Sequence, residues 1–366
     1  MFKSLRLAAA GALIAGLLGA YPAPADEGVA LRQRYFGYEN VDSVTGAVRP
    51  DRVILSWFGV TNFAAAINGH VVLLDAWVPH GEYSGYVPST PLELAKLRPE
   101  FIFAGHSHFD HTADAGTIIK AGVSPITVVG TPEQCAQIRS HAAPATAACI
   151  EAVPAGAPFG ATGALNSLIP GVGISVIKHV HSAAEEPDPS DAGGPHAPAA
   201  PPPDANAVVH HLPAPQDTAD LAAHLGDAEN GTLLYQFRIG DFALVWHDSA
   251  GPLKEVAPGV LTQLEGLPAP TDVELGAIMG FNQLTNGLRD PRMYIERIRP
   301  KIFVPIHHDN WAPGVSTRGE NYQPIVEAEL QRIPAGRRPI LRFISDPQDY
   351  VRPEVLTFDV NSPYWQ

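Results

Sequence analysis

Four side chains that commonly bind metal ions fall within six residues of the stretch FIFAGHSHFDHTAD, residues 101–114. They are His106, His108, Asp110 and His111, and they follow an apolar run that is typical of a buried β-strand. Alternate residues of an extended chain point to the same side, so the first two histidines can face one point. Imidazoles and a carboxylate suit Zn2+ and similar divalent ions. The stretch therefore predicts a metal site at a strand end.

Strand-like and helix-like segments alternate along most of the chain. Runs rich in β-branched and aromatic residues predict strands, and segments with proline near their start predict helices. The predicted strands are 52–59, 69–77, 100–106, 126–131, 173–181, 232–240, 242–249 and 301–308, and the predicted helices are 90–97, 114–122, 131–141 and 289–298. This alternation predicts an α/β layered domain.

One helix–strand unit occurs twice. KLRPEFIFAGHSH begins at residue 96 and RIRPKIFVPIHHD begins at residue 297. In each copy a histidine, His106 or His307, stands seven residues after the proline of an Arg-Pro pair. Because layered α/β folds build sites at the carboxyl ends of strands, the repeat predicts that both histidines lie at such an edge.

Further candidate ligands stand at the ends of other predicted strands. His179 and His181 end one strand, His247 and Asp248 end the next, and the last carries His307, His308 and Asp309. The first two share a strand face, and His181 is preferred as a ligand because it is nearer the strand end. We expect the other member of that pair, together with His247 and His308, to be hydrogen-bonded or solvated neighbours of the site.

The amino-terminal residues indicate export. Lys3 and Arg6 precede an apolar stretch too short to span a bilayer comfortably, and Ala23-Pro24-Ala25 fits a cleavage site, so residues 1–25 are interpreted as a signal peptide. An uncleaved anchor is the alternative. The expected location is the periplasm or outside the cell, with no stable membrane association after cleavage. Residues 26–50 then form an N-terminal extension and 51–366 a single domain.

The composition of the chain limits the kinds of molecule that it is expected to bind. The formal net charge of −14 disfavours binding to nucleic acid and to anionic lipid surfaces. Cys135 and Cys149, the two cysteines of the chain, fit either a disulfide in an oxidising compartment or two buried thiols. Neither cysteine has the spacing of a metal site. The oligomeric state is left open.

A Pro/Ala-rich segment at about 183–231 interrupts the alternation and is interpreted as a surface insertion with a short helix near residues 217–225. It contributes four histidines that have no regular spacing, so we expect solvated loop residues rather than metal ligands. They are His196, His210, His211 and His224.

These motifs resemble the metallo-β-lactamase superfamily. HSHFDH is similar to its His-x-His-x-Asp-His motif, and the segment from residue 55 to residue 77 is similar to the opening strands of the branch that includes ascorbate-phosphate lactonases and N-acyl-phosphatidylethanolamine phospholipase D. Asp75 matches a structural aspartate, Asp248 the bridging aspartate and His307 the last metal histidine. The resemblance implies a four-layer αβ/βα sandwich, here with the Pro/Ala-rich insertion. His247 stands where the family usually has glycine.

The resemblance also implies two divalent metal ions, with zinc expected and manganese or iron as alternatives. The first ion would be held by His106, His108 and His181, and the second by Asp110, His111 and His307. Asp248 would bridge them together with a hydroxide, and Asp110 would also orient the nucleophile or carry its proton.

The expected activity is therefore hydrolysis of a small molecule, with an ester or lactone as the preferred substrate class. Phosphodiester hydrolysis is the alternative within the fold. A periplasmic metal-binding protein without turnover is the alternative outside enzymes.

Overall fold

The computed structural model describes residues 26–79, 87–183, 219, 222–280, 284–309 and 317–365. The predicted signal peptide lies outside these residues, as do most of the Pro/Ala-rich insertion and three of its four histidines. Within the short helix expected in the insertion, the described helical residues are 219 and 222–224. No helix in the described ranges is long and apolar enough to cross a membrane.

Two mixed β-sheets contain the strands. Across the first sheet the order is β14 (Thr357–Asp359), β1 (Arg52–Trp57), β2 (Phe63–Ile67), β3 (His70–Leu74), β4 (Phe101–Phe103), β5 (Thr127–Gly130) and β6 (Ala148–Glu151). Across the second it is β13 (Ile340–Leu341), β12 (Ile302–Ile306), β11 (Val273–Ala277), β10 (Phe242–His247), β9 (Thr232–Ile239), β8 (Gly173–His179) and β7 (Thr162–Ala164).

The pairing directions bring the important strand ends together. β3 to β6 pair in parallel, and so do β10 to β13. β8 is antiparallel to β9, which is antiparallel to β10, so β8 runs in the same direction as β10. The carboxyl ends of strands that run together meet at one edge of a sheet. This is the edge at which the predicted ligands follow their strands.

The two sheets pack face to face through one apolar core. Along β1, Val53, Leu55 and Trp57 point into that core, whereas Ile54 packs against the opposite layer. β10 alternates in the same way, with Trp246 in the shared core. Because successive side chains of a strand point to opposite faces, an almost fully apolar strand packs against the other sheet on one face and against helices on the other.

Helices cover the outer face of each sheet. Against the first sheet lie α1 (Glu27–Phe36), α2 (Pro91–Lys96), α3 (Phe109–Thr112), α4 (Ala115–Ala121) and α5 (Pro132–Ala142). Against the second lie α6 (Leu253–Val256), α7 (Gly259–Glu265), α8 (Arg289–Ile298) and α9 (Gln323–Leu330). Short 3-10 turns cover residues 38–40, 285–288, 319–321, 335–337, 353–356 and 363–365. The four layers confirm the predicted αβ/βα sandwich, and every predicted strand and helix outside the insertion is found.

The repeated helix–strand unit has the same local structure in both copies. α2 and α8 each precede a strand, and the arginine of each Arg-Pro pair, Arg98 or Arg299, adopts a left-handed conformation with φ of 55° or 56°. Because the proline disfavours continuation of the helix, the chain turns there and enters the strand. β4 and β12 lie in different sheets, so the two copies approach the site from both sides.

The two cysteines form a disulfide between α5 and β6. Cys135 is fully buried within the helix layer of the first sheet. Of the two arrangements that the sequence allowed, the chain therefore adopts the bridged one.

Candidate metal centre

All seven side chains predicted as metal ligands lie together at the shared carboxyl-terminal edge of the sheets. They form three overlapping groups, and within each group one ligand atom from every member lies within 4.8 Å of the others. The groups are His106, His108 and His181; His106, His111 and Asp248; and Asp110, His111 and His307. Overlapping groups of this kind are what two neighbouring cations require.

The first group joins the loop after β4 to the loop after β8. The Nε2 atoms of His106 and His181 are 3.1 Å apart, and the ring of His108 stands perpendicular to both other rings. In a tetrahedral zinc site with bonds of about 2.0–2.1 Å, ligand atoms are about 3.3 Å apart. The separation of the two nitrogens therefore fits ligands that share one ion.

The second group lies where the chain turns from β4 into α3. The Oδ2 atom of Asp110 is 3.5 Å from Nε2 of His111 and 3.5 Å from Nε2 of His307. Extended chain places the earlier histidines, and the short helix α3 then turns these two side chains toward β12. Both distances again fit three ligands around one ion.

Asp248 lies between the two groups and is fully buried. Its Oδ2 atom is 2.6 Å from Nδ1 of His106 and 3.3 Å from Nδ1 of His111. Its Oδ1 atom has no hydrogen-bond partner among the described residues. A buried carboxylate oxygen without a partner is costly, so this atom fits a cation ligand.

The close approach of Asp248 explains why glycine precedes the first histidine of the motif. A Cβ atom on Gly105 would lie 2.1 Å from the carboxylate of Asp248. A side chain at this position would therefore displace the aspartate. The fold therefore requires glycine here for space.

Asp75, which follows β3, orients the centre from behind. Its Oδ2 atom accepts hydrogen bonds from Nδ1 of His111 at 2.8 Å and from the hydroxyl of Thr61 at 2.7 Å. Its Oδ1 atom accepts a bond from the backbone N–H of Gly105 at 3.0 Å. A carboxylate on Nδ1 fixes the tautomer that leaves Nε2 of the histidine available to a metal. The structural role that the resemblance implied for Asp75 agrees with these contacts.

Burial sets the protonation preferences of the site. It lowers the pKa of His106 and of His111 well below the usual value, aided by neighbouring histidines, and it lowers the pKa of His307 to about 4. Neutral imidazole, the form that binds metal, is thereby favoured. Burial raises the pKa of Asp110 to about 7 and that of Asp248 to about 6. A cation bound nearby would favour the ionised form of both carboxylates, most of all that of Asp110.

The adjacent histidines after β12 have different surroundings. His307 lines the cavity of the site in a left-handed backbone conformation, with φ of 64°. Nε2 of His308 donates to the carbonyl of Pro305 at 2.8 Å, and its ring stacks on Phe343. Left-handed backbone is uncommon for a residue with a Cβ atom and concentrates at functional sites. His307 is therefore a residue of the site, and His308 packs beside it.

His179 and His247 are buried beside the centre but outside the ligand groups. Nδ1 of His179 is 2.8 Å from the hydroxyl of Tyr294. His247 contacts the carbonyl of Ser249 at 2.8 Å and a carboxylate oxygen of Glu274 at 3.0 Å. Both histidines are therefore held by hydrogen bonds, as expected for neighbours of the site. Of the pair after β8, His181 is the one that joins the first group.

A cavity of about 260 Å3 opens onto the ligand groups. Five of the seven predicted ligands line it, namely His106, His108, Asp110, His181 and His307, and the other described lining residues are Phe109, Leu225, Gly226, Asp227, Ser249 and Gly280. Residues 225–227 come from the carboxyl-terminal end of the insertion. Neither spacing nor periodicity in the sequence indicated these lining residues.

Sequence reasoning also missed supporting groups of the site. Nδ2 of Asn62 donates to the carbonyl of Asp110 at 3.1 Å, and its Oδ1 accepts from the backbone N–H of Trp77 at 2.8 Å. Asp309, which the sequence offered as a candidate ligand, lies outside the ligand groups, and its carboxylate accepts from the backbone N–H of Val60 at 3.0 Å. These contacts connect the loops that carry the ligands. Their partners are far apart in the sequence, so no local signal predicts them.

The chain is similar in sequence to metal-dependent hydrolases. No family model matches the chain. A UPF0173 metal-dependent hydrolase of Pyrobaculum neutrophilum is 36% identical over 90 residues, which cover 25% of this chain and 37% of the relative. The chain thus spans little more than a third of that relative. A UPF0173 metal-dependent hydrolase of Pyrobaculum islandicum is 23% identical over 277 residues, which cover 75% of this chain and 92% of the relative.

Solved structures similar to this chain include Igni18, a metallo hydrolase from Ignicoccus hospitalis, with 16% identity, coverage of 84% and 98% of the two chains and a TM-score of 0.49. The metallo-β-lactamase fold protein YhfI from Bacillus subtilis has 9% identity, coverage of 81% and 97% and a TM-score of 0.47. With the two-sheet fold and the similarity to UPF0173 metal-dependent hydrolases, the predicted resemblance of this chain to metallo-β-lactamase superfamily hydrolases is confirmed.

Proposed function

We propose that this protein is an exported, metal-dependent hydrolase that binds two divalent ions and cleaves a small ester or lactone. One observation carries the proposal: two triads of ligand atoms lie at one strand edge, a buried carboxylate contacts a histidine of each, and five of the six triad members line one cavity. The name of the similar UPF0173 proteins, metal-dependent hydrolase, supports the reaction class.

The donor set fits two cations. His106, His108 and His181 would hold one ion, Asp110, His111 and His307 the other, and Asp248 would contact both. Two bound divalent ions would lower the pKa of a shared water toward neutrality and so provide a hydroxide nucleophile at neutral pH. Neutral imidazoles with few carboxylates favour zinc over harder ions such as magnesium.

The side chains themselves supply orientation and proton handling. Asp110 lies on the cavity wall between two histidines and is held through its backbone carbonyl by Asn62. A carboxylate at that position can accept a proton from an attacking water and release it toward the leaving group. Asp75 keeps His111 in one tautomer throughout, so the geometry does not have to rearrange during the reaction.

The cavity favours a small carbonyl substrate. Its described lining contains Phe109 and Leu225 beside polar Ser249, and it contains no arginine or lysine among the described residues. Phosphoryl groups are usually recognised by such cationic side chains. Apart from the proposed metal ions, the described lining thus offers a phosphodiester no cationic group, whereas an uncharged ester or lactone needs none.

The disulfide supports the proposed export. Bridges between cysteines persist in oxidising compartments such as the periplasm and are rare in the cytosol. The pairing of Cys135 with Cys149 is therefore consistent with the signal peptide interpreted from residues 1–25.

The test is a substrate panel on zinc-reconstituted protein. We expect hydrolysis of aryl esters and lactones, loss of activity on chelation, and recovery on adding zinc back. The matched control is Asp110→Asn, which should retain the fold and lose most turnover. Preferential cleavage of a phosphodiester would show that the proposed ester or lactone substrate is wrong. Two tightly bound ions without turnover on any substrate class would contradict the proposal that the protein is an enzyme.

A further inference from the structure

A second group of metal-type side chains lies beside the centre. It consists of His141 near the end of α5, and of His224 and Asp227 at the carboxyl-terminal end of the insertion. One ligand atom from each lies within 4.8 Å of the others. The sequence indicated a solvated loop position for His224, but this expectation is wrong because the residue is buried, with 7% of its surface exposed.

One of the two contacts within this group is a hydrogen bond, and the other has a spacing close to that of two metal ligands. Nδ1 of His224 is 2.8 Å from Oδ2 of Asp227, and Nε2 of His141 is 3.5 Å from Oδ1 of the same carboxylate. The second distance is too long for a good hydrogen bond but close to the spacing of about 3.3 Å between ligands of a tetrahedral zinc ion. The two imidazole rings are perpendicular, with centroids 4.2 Å apart. Two imidazoles and one carboxylate are a common zinc donor set.

The group sits where the insertion rejoins the domain. Gln137 of α5 accepts a hydrogen bond from the side chain of Asn230 at 2.9 Å and donates to the carbonyl of Ser107 at 2.7 Å. The hydroxyl of Ser107 in turn donates to the carbonyl of Ala228 at 2.8 Å. Ser107 lies between the first two histidines of the metal motif. The carboxyl-terminal end of the insertion is thus bonded both to α5 and to the loop that carries the predicted ligands.

The same segment forms one wall of the cavity. Leu225, Gly226 and Asp227 line it, and they lie between His224 and the bonds made by residues 228–230. Whatever holds His224 against α5 therefore also positions this wall. Hydrogen bonds anchor the wall on its carboxyl-terminal side, and the His141 group anchors it on the other.

We propose that His141, His224 and Asp227 form a separate site for a divalent transition-metal ion, with zinc as the expected ion, and that the bound ion fixes the cavity wall formed by residues 225–227. The ion would connect α5 to the end of the insertion across 83 to 86 positions of sequence. It would act on the shape of the cavity and not on the chemistry at the predicted dinuclear centre. The excess of negative charge on the chain favours cation binding in general.

The test is a zinc titration of metal-free protein against a competing chromophoric chelator. We expect about three equivalents in the wild type and about two in His141→Gln and in His224→Gln, because glutamine preserves size without providing the imidazole. The control is His70→Gln, which alters a partly exposed histidine paired with Glu100 at the opposite end of β3. It should bind as many ions as the wild type.

A difference of one ion between the wild type and both variants supports the proposal whatever the count at the dinuclear centre, so the two hypotheses fail separately. Equal stoichiometry in the wild type and the variants would overturn it. Thermal unfolding of each metal-free variant checks that folding is retained. Zinc should also slow amide hydrogen exchange in residues 222–230 of the wild type more than in either variant, and equal protection would contradict the proposed effect on the cavity wall.

Discussion

Replacing His307 and His308 separately by alanine should have different effects. The first change should abolish the binding of one metal ion and nearly all hydrolysis, and the second should mainly lower stability. His307 faces the cavity and the carboxylate of Asp110, whereas His308 packs between Trp57 and Phe343. We expect His307→Ala to lose the second metal ion and nearly all hydrolysis, because one of the three terminal ligands of that ion is gone. We expect His308→Ala to keep both ions.

The free energy of unfolding should fall more in His308→Ala than in His307→Ala. His308→Ala removes a fully buried ring and leaves the carbonyl of Pro305 without its donor. An unsatisfied buried acceptor costs about 1–3 kcal/mol, and the cavity adds a similar amount, so metal-free protein should lose about 3 kcal/mol. Its activity should fall by no more than about tenfold to a hundredfold, as is usual for neighbours of metal ligands.

His307→Gly is the matched control for backbone strain. The φ of 64° at His307 is strained for alanine as well as for histidine, by about 1–2 kcal/mol, and glycine removes this cost. Metal-free His307→Gly should therefore be about 1 kcal/mol more stable than His307→Ala, although both lack the second ion. Urea unfolding of metal-free protein and elemental analysis of reconstituted protein measure the two quantities. If His308→Ala empties the second position while His307→Ala keeps it, the assignment of the ligands is wrong by one residue.

Four further variants test other parts of the centre and of the fold. His181→Gln should lose the first ion, whereas His179→Gln should keep both, and zinc analysis of the two proteins distinguishes them. Asp75→Asn should weaken zinc binding by about tenfold to a hundredfold, because Nδ1 of His111 loses a charged acceptor. Unchanged affinity in a chelator competition would refute this role. Replacing Cys135 and Cys149 together by serine should lower the free energy of unfolding by about 3 kcal/mol, since the bridge closes a loop with a sequence separation of 14 residues; identical urea midpoints for the oxidised wild type and the variant would contradict it.

Local patterns predicted the parts of the fold whose burial is regular. β1 and β10 alternate between two apolar layers, and α5 begins with a threonine cap followed by proline, so their sequences carry the signal of their structure. β2 is different because its sequence FAAAI is rich in alanine, which favours helices, and only the family resemblance implied a strand there. β11, with the sequence VELGA, contains a buried glutamate paired with a histidine of β10, and that pairing is not visible in the sequence.

The candidate site follows the same division. The ligands at strand ends were predicted because each stands directly after an apolar run, and the repeat of the Arg-Pro unit gave the register of His307 relative to its neighbour. The cavity wall was not predicted, since residues 225–227 owe their position to contacts with Ser107 and with α5. His224 was misassigned for the same reason: its partners His141 and Asp227 come together only in the folded chain.

The most direct test of the central claim is an anomalous-diffraction experiment at the zinc absorption edge on crystals of zinc-reconstituted protein. The account predicts two strong peaks on either side of the carboxylate of Asp248, one within bonding distance of His106, His108 and His181 and the other within bonding distance of Asp110, His111 and His307. No peak at this edge of the sheets, or zinc bound only by other residues, would contradict it.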